Sequence, residues 1–538
     1  MPKQQTEKSG SNRNRRFEAE PEQRSEPESE QRPELYECLR AYAASDFYPW
    51  HMPGHKRRLV EFDNPFSMDI TEIEGFDDLH HPEGILKEAM EEAAEVYGSE
   101  KTYFLVNGSS CGILAAASAA VPAGGKLLMA RNCHKSAYHA ALLGQHQVSY
   151  LYPEPEKDGF YGAVQASDVE EALEKDPGIR AVVMVSPGYE GIVSDIGAIA
   201  ETAHAHGCVL LVDEAHGAHL PFGKDCGILF PASALEMGAD VVIQSLHKTL
   251  PSLTQTALLH LGKGSGMRID RERIELYLRI YQSSSPSYIF MASIDHCIRL
   301  MAGESGKLLM KEYAANLKAV RSRLKEQLQV LRLYEPESEQ APEQMAVLKE
   351  REKCFYDPSK FVIISDAEIA DGSRLAELLR KEYHLEPEMN TDRYVILMSS
   401  PADTREGFER MAEALIEIDC MLRAEARSGH AADAKKSGSN AHSSVWGSLP
   451  DRAPEAAMSL AEAGALQGRP VPLSQATGRI CHDFIYIYPP GIPLLVPGER
   501  IEECHIDLIR IWQDHGLEVH GIRQLSGQGT DKWTILCI

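Results

Sequence analysis

Lys248 stands in the run Ser245-Leu246-His247-Lys248-Thr249, directly after the apolar segment Ala239-Asp240-Val241-Val242-Ile243-Gln244. That segment reads as a buried strand, so the lysine falls on the turn that leaves it. A lysine there, between an imidazole and a small hydroxyl residue, suits a Schiff base with a carbonyl compound. Asp213 closes a second apolar run that begins at Cys208, and Glu214-Ala215-His216-Gly217 follow it. In an open parallel sheet, ligand groups gather at the carboxyl ends of strands. Asp213 and Lys248 are 35 residues apart, room for one helical crossover, expected around Ser233 to Gly238. An aspartate at such a strand end can pair with a protonated pyridine nitrogen and strengthen an electron sink. The two residues together point to pyridoxal 5'-phosphate (PLP) chemistry on an amine substrate.

Such a cofactor needs a phosphate site. Val106-Asn107-Gly108-Ser109-Ser110-Cys111-Gly112 follows the strand-like Thr102 to Leu105 and opens an alanine-rich helix, Ile113 to Ala120. Backbone N–H groups at a helix start, with serine hydroxyls beside them, suit a dianion. His134 ends the strand-like run from Leu127, where an imidazole could lie flat on a ring. Val182 to Val185 is one more strand, ending in Ser186-Pro187-Gly188-Tyr189-Glu190-Gly191. Each piece has an ordinary reading when taken singly: a solvated loop lysine, a turn-capping acid, a serine N-cap, a structural histidine. Their order along the chain is what gives them weight.

Positioning these groups requires alternating strands and helices. Residues 76–300 carry that alternation and read as a doubly wound, mostly parallel sheet. Before it, residues 34–75 hold a short helix, Leu35 to Ala44, and the turn around His51 and His55, both read as structural. After it, a strongly helical stretch from Met310 to Leu331 leads into a smaller α/β domain over 301–423, with strands at Lys360–Ile364 and Arg393–Met398. Residues 424–450 lack periodicity and read as a flexible linker. Residues 451–538 then form a C-terminal α+β domain with apolar strands and Pro-Gly turns. Residues 1–33 are polar, charged and free of large aliphatics, a composition expected to be disordered.

Several blocks, in order, resemble the Orn/Lys/Arg decarboxylase family: His51-Met52-Pro53-Gly54-His55-Lys56, Leu79-His80-His81-Pro82-Glu83-Gly84, Arg131-Asn132-Cys133-His134-Lys135-Ser136, and the segments around Asp213 and Lys248. Gln282 to Tyr288, Tyr488-Pro489-Pro490-Gly491-Ile492-Pro493 and Pro497-Gly498-Glu499 extend the match toward the C-terminus. The resemblance implies a fold type I, PLP-dependent transferase-like large domain in a short form of the family without an N-terminal wing domain. It implies that Lys248 holds the cofactor covalently, Asp213 pairs with its ring nitrogen and His134 stacks on the ring. Ser109, Ser110, Ser245 and His247 would hold the phosphate, and His216 would lie beside the cofactor. Ser284 and Ser285 would reach a neighbouring subunit, since sites of this fold are built at a dimer interface; a homodimer or an assembly of dimers is expected. Glu499 would receive the distal cation of the substrate. Arginine, giving agmatine in polyamine metabolism, is the leading substrate. Lysine and ornithine stay open, as do another PLP reaction such as an aminotransferase or aldolase-type lyase, and an inactive regulatory homologue.

A net charge of −25 over 538 residues disfavours nucleic acid and anionic membranes as partners. The length calls for several domains. The eleven cysteines show no Cys-x-x-Cys pair, which fits reduced thiols in a cytoplasmic protein and no metal site. No apolar run is long enough for a membrane span, and no signal peptide is evident.

Overall fold

Seven strands, most of them apolar on both faces, build the sheet on which the candidate residues ride. In the computed structural model they follow an outlying strand, β1 (Tyr48–Trp50), as β2 (Lys101–Leu105), β3 (Lys126–Ala130), β4 (Gln147–Leu151), β5 (Ile179–Val185), β6 (Val209–Asp213), β7 (Val241–Gln244) and β8 (Ala257–Leu261). The structure describes residues 35–58, 64–224, 226–336, 355–365, 369–428, 454–514, 516–524 and 533–538. The sheet order is β2-β8-β7-β6-β5-β3-β4. Neighbours from β4 through β7 run parallel, while β8 is antiparallel to both β7 and β2. β6 and β7 are buried at every position, as a sheet covered on both faces requires. Register places Val185 opposite Asp213, and Asp213 opposite Ile243. The carboxyl ends of β5, β6 and β7 therefore lie level, with Lys248 on the short helix Leu246–Thr249 just beyond β7.

The β6–β7 crossover differs from the expected helix. Around Ser233 to Gly238 the chain makes turns only. The crossover is fixed by a side chain instead: the Glu214 carboxylate accepts from Ala234 N at 2.8 Å and from Gln244 Nε2 at 2.6 Å. A buried acid with two donors does what a longer helix would do by packing.

Phe47–Ile538 forms one unit, and helix Leu35–Ala44 falls in a separate one, Met1–Asp46. Beyond the main sheet, β9 (Arg332–Leu333), β10 (Lys360–Ile364), β11 (Leu385–Pro387), β12 (Met389–Asn390) and β13 (Tyr394–Met398) follow; a second, antiparallel sheet runs β12-β13-β10-β9. β11 pairs in parallel with β1, which ties residues 48–50 to this region. Helix Arg405–Ser428 runs into the segment read as a linker, where Arg374 Nη2 donates to Glu425 at 2.8 Å. The rest of that segment, 429–450, and the tail 1–33 lie outside the described residues. Near the C-terminus, two three-stranded sheets accompany helix Glu503–Asp514.

Candidate active site

A cavity opens at the level ends of the strands. Lys248, Asp213, His134, His216 and Ser109 line it, together with Met52, Asn132, Tyr189, Glu190, Tyr488 and Ile492 among others. Lys248 Nζ and His216 Nε2 lie 3.1 Å apart. Burial lowers the Lys248 pKa, opposed by the nearby Asp213 carboxylate. The same burial raises Asp213, opposed by Lys248, while Ala215 N donates to its Oδ1 at 3.1 Å. His216 is pushed well below the ordinary imidazole value by burial and by the Lys248 charge. His134 caps helix Lys135–Leu143, its Nδ1 accepting from Ser136 N at 3.3 Å, which fixes the ring at the end of β3. Withdrawal from water pushes it down to about 3.

The helix Gly108–Ala120 delivers Ser109 to the cavity in its first turn, at the end where a helix's first N–H groups lack intrahelical partners. Ser110 is exposed and outside the lining. Ser245 caps the Lys248 turn, and its Oγ is buried without a hydrogen-bond partner among the described residues. Thr249 Oγ1, Asn132 Oδ1 and His216 Nδ1 share that condition. His247 Nδ1 lies 2.9 Å from Thr256 O, and burial pushes its pKa down to about 4. Buried polar atoms left unpaired are uncommon, and a cluster of them around one cavity leaves acceptors and donors for a bound group. An amine, an acid, a half-buried imidazole and hydroxyls at a helix start form a donor set that fits PLP.

Two connections hold this arrangement that the sequence reading did not find. Gly54 N donates to His247 O at 2.6 Å, so the Pro-Gly-His turn rests on the backbone of the Lys248 turn. A Cβ at Gly54 would lie 2.9 Å from Leu250 N and O, so only glycine allows this approach. From the other side, Lys135 N donates to Gly491 O at 3.0 Å. Gly491, at φ +79°, lies against the His134 ring, where a Cβ would stand 3.2 Å from Cδ2.

Glu499 does not line this cavity. Its carboxylate sits 3.2 Å from Arg131 Nη2 and accepts from Val496 N at 2.8 Å; both charged side chains are buried. Arg131 also donates to Tyr138 Oη at 2.7 Å and Leu494 O at 3.0 Å. Glu499 already has its cation, and that cation is part of the chain. Ser284 and Ser285 are exposed and also outside the cavity, in a loop where Ser283 N donates to Asn107 Oδ1 at 3.2 Å. Glu190, at the turn after β5, lines the cavity without having been singled out. Its position five residues beyond a strand end was the available signal.

Among the described residues the ten cysteines are free, no group of side chains has the makings of a metal site, and no helix is long and apolar enough to cross a membrane. The match to known proteins covers nearly the whole chain. An arginine decarboxylase of Bacillus subtilis (strain 168) is 31% identical over 496 residues, 90% of this chain and 95% of that one. An arginine decarboxylase of Bacillus anthracis is 29% identical over 504 residues, 92% and 96% of the two chains. Lysine decarboxylase A from Pseudomonas aeruginosa has the same fold, with a TM-score of 0.71 at 19% identity, over 94% of this chain and 82% of that one. The model for the Orn/Lys/Arg decarboxylase major domain matches residues 33–407, and that for the C-terminal domain of the same family matches 441–538. With both parts matched and the site residues gathered at one set of strand ends, the chain belongs to the Orn/Lys/Arg decarboxylase family.

Proposed function

We propose that the protein decarboxylates arginine to agmatine and carbon dioxide with PLP as cofactor, as a cytoplasmic homodimer. The observation that carries the reading is the convergence of Lys248, Asp213, His134 and Ser109 on one cavity. Arginine is favoured over lysine and ornithine by the arginine decarboxylases matched over most of their length. The free thiols support a reducing compartment.

When bound, PLP supplies the electron sink that takes up the bonding electrons of the departing carboxylate. Lys248 would hold the cofactor through Nζ and give it up to the substrate amine. Its lowered pKa keeps a larger share of the amine neutral and nucleophilic. Asp213 would face the ring nitrogen and keep its proton in place. His134 would stack on the ring, and its depressed pKa keeps the imidazole uncharged there. Ser109, Ser245 and His247 would hold the phosphate, with the helix start behind Ser109, while the exposed Ser110 stands outside the cavity. His216, 3.1 Å from Nζ, is placed to take or return the lysine proton.

Incubating the loaded protein separately with arginine, lysine and ornithine, and following amine and carbon dioxide together, tests the reading. Agmatine and carbon dioxide in equal amounts are expected; cadaverine or putrescine as the dominant product would replace arginine with another substrate. Lys248→Ala is expected to abolish both turnover and the visible absorbance of lysine-linked cofactor. Normal turnover in that variant would remove Lys248 from its role.

A further inference from the structure

We infer that Glu190 receives the distal cation of the basic substrate, a guanidinium or an ammonium group. The inference rests on the decarboxylase reading and names the part of the site that recognises the side chain. Among the described residues that line the cavity, the carboxylates are Asp213 and Glu190. Asp213 stands at the sheet end beside Lys248, and the cofactor reading uses it. Glu190 lies on the turn after β5 and is 9% exposed. Its partner is neutral: Tyr394, on β13, donates its hydroxyl to Glu190 Oε1 at 2.8 Å. No lysine or arginine pairs with it among the described residues.

The neighbouring carboxylates Glu499, Glu388 and Glu214 lie outside the cavity lining and have hydrogen-bond partners of their own. Glu499 is paired with Arg131. Glu388 accepts from Tyr189 Oη and, at 2.9 Å, from Met52 N. Glu214 holds Ala234 N and Gln244 Nε2. Glu190 alone of these combines a place on the cavity wall with an unmatched charge. A buried carboxylate without a cation is costly, and a cationic ligand entering the cavity relieves that cost. Burial accordingly raises its pKa, as a missing counter-charge would. The Tyr394 hydroxyl fixes the orientation of the carboxylate and leaves acceptor capacity toward the cavity. A planar guanidinium uses such a carboxylate with two parallel hydrogen bonds, an ammonium with one.

The test compares the loaded parent, Glu190→Gln and Glu190→Asp with arginine and with citrulline, its neutral isostere. Glu190→Gln keeps an acceptor for Tyr394 and removes the charge. It is expected to raise the KM for arginine by about 10- to 100-fold, the range for one charged hydrogen-bonded contact. The kcat/KM preference for arginine over citrulline falls by a similar factor, while the cofactor absorbance and the unfolding midpoint stay put. Calorimetric titration with agmatine gives the same comparison without turnover. Glu190→Asp, which keeps the charge on a shorter arm, gives an intermediate KM; should the glutamine variant fail to fold, an aspartate variant with the parental KM overturns the inference. So does a folded Glu190→Gln enzyme with an unchanged preference, or one in which only kcat falls. A parent enzyme that releases no amine from any basic amino acid overturns the decarboxylase reading and this inference with it.

Discussion

His134, His216 and His247 are three imidazoles kept uncharged by withdrawal from water, and that has a direct consequence for acid stability. Unfolded, each takes up a proton near pH 6.5. Folded, His134 does so only near pH 3 and His247 near pH 4. Between those values the unfolded chain binds more protons, so their contribution is full above pH 6.5 and is lost as the pH falls through the window. The urea midpoint of a His134→Gln variant is expected to fall less steeply from pH 7 to pH 4.5 than that of the parent; parallel curves would mean that His134 titrates normally in the fold. That Lys248, Asp213 and His134 lie at or just beyond strand ends was legible in the chain, because each closes or follows an apolar run. Glu190 was not, since its meaning depends on which carboxylates elsewhere already have partners. Glu499 misled for the same reason: Arg131 is 368 positions away in the chain, and nothing local to either residue announces the pair.

At the scale of elements, the site depends on how closely other backbone approaches the Lys248 turn. Gly54 is the sharpest case. Gly54→Ala forces a methyl against Leu250 N and O, atoms that cannot swing aside. A loss of about 1–3 kcal/mol, the usual cost of overpacking, is expected by chemical denaturation, with weaker retention of cofactor on dialysis. A variant as stable as the parent would show that the turn can move off His247. The strands β6, β7, β10 and β13 could be placed from apolar runs alone, and β6 and β7 are the ones that matter for the site. The β6–β7 crossover could not. Six residues with a glycine at the end read as a helix by length, yet the Glu214 carboxylate captures the backbone first. The helix Arg405–Ser428 likewise outlasts its compositional signal, and Arg374 donates to Glu425 near its end.

Over the whole molecule, the Arg131–Glu499 pair joins the main sheet to the C-terminal region. Glu499→Gln leaves a buried guanidinium uncompensated, and breaking such a pair costs about 3–5 kcal/mol. The expected result is a lower unfolding midpoint with the arginine-over-citrulline preference kept, the opposite pattern from Glu190→Gln. A selective rise in the arginine KM at unchanged stability would return Glu499 to the substrate. The alternation of strands and helices that builds the main sheet was readable from the apolar runs. The contacts that close them around one cavity were not, because they join Met52, Glu190 and Tyr488 from distant parts of the chain. Tyr488, Pro490 and Ile492 form one wall of that cavity, and Gly491 O receives Lys135 N. During synthesis the chain emerges from its N-terminus, and earlier regions fold first. A nascent chain that has already released Lys248 and Asp213 still lacks that wall. The cavity is thereby completed only once residues 488–492, some 240 positions beyond Lys248, have been made.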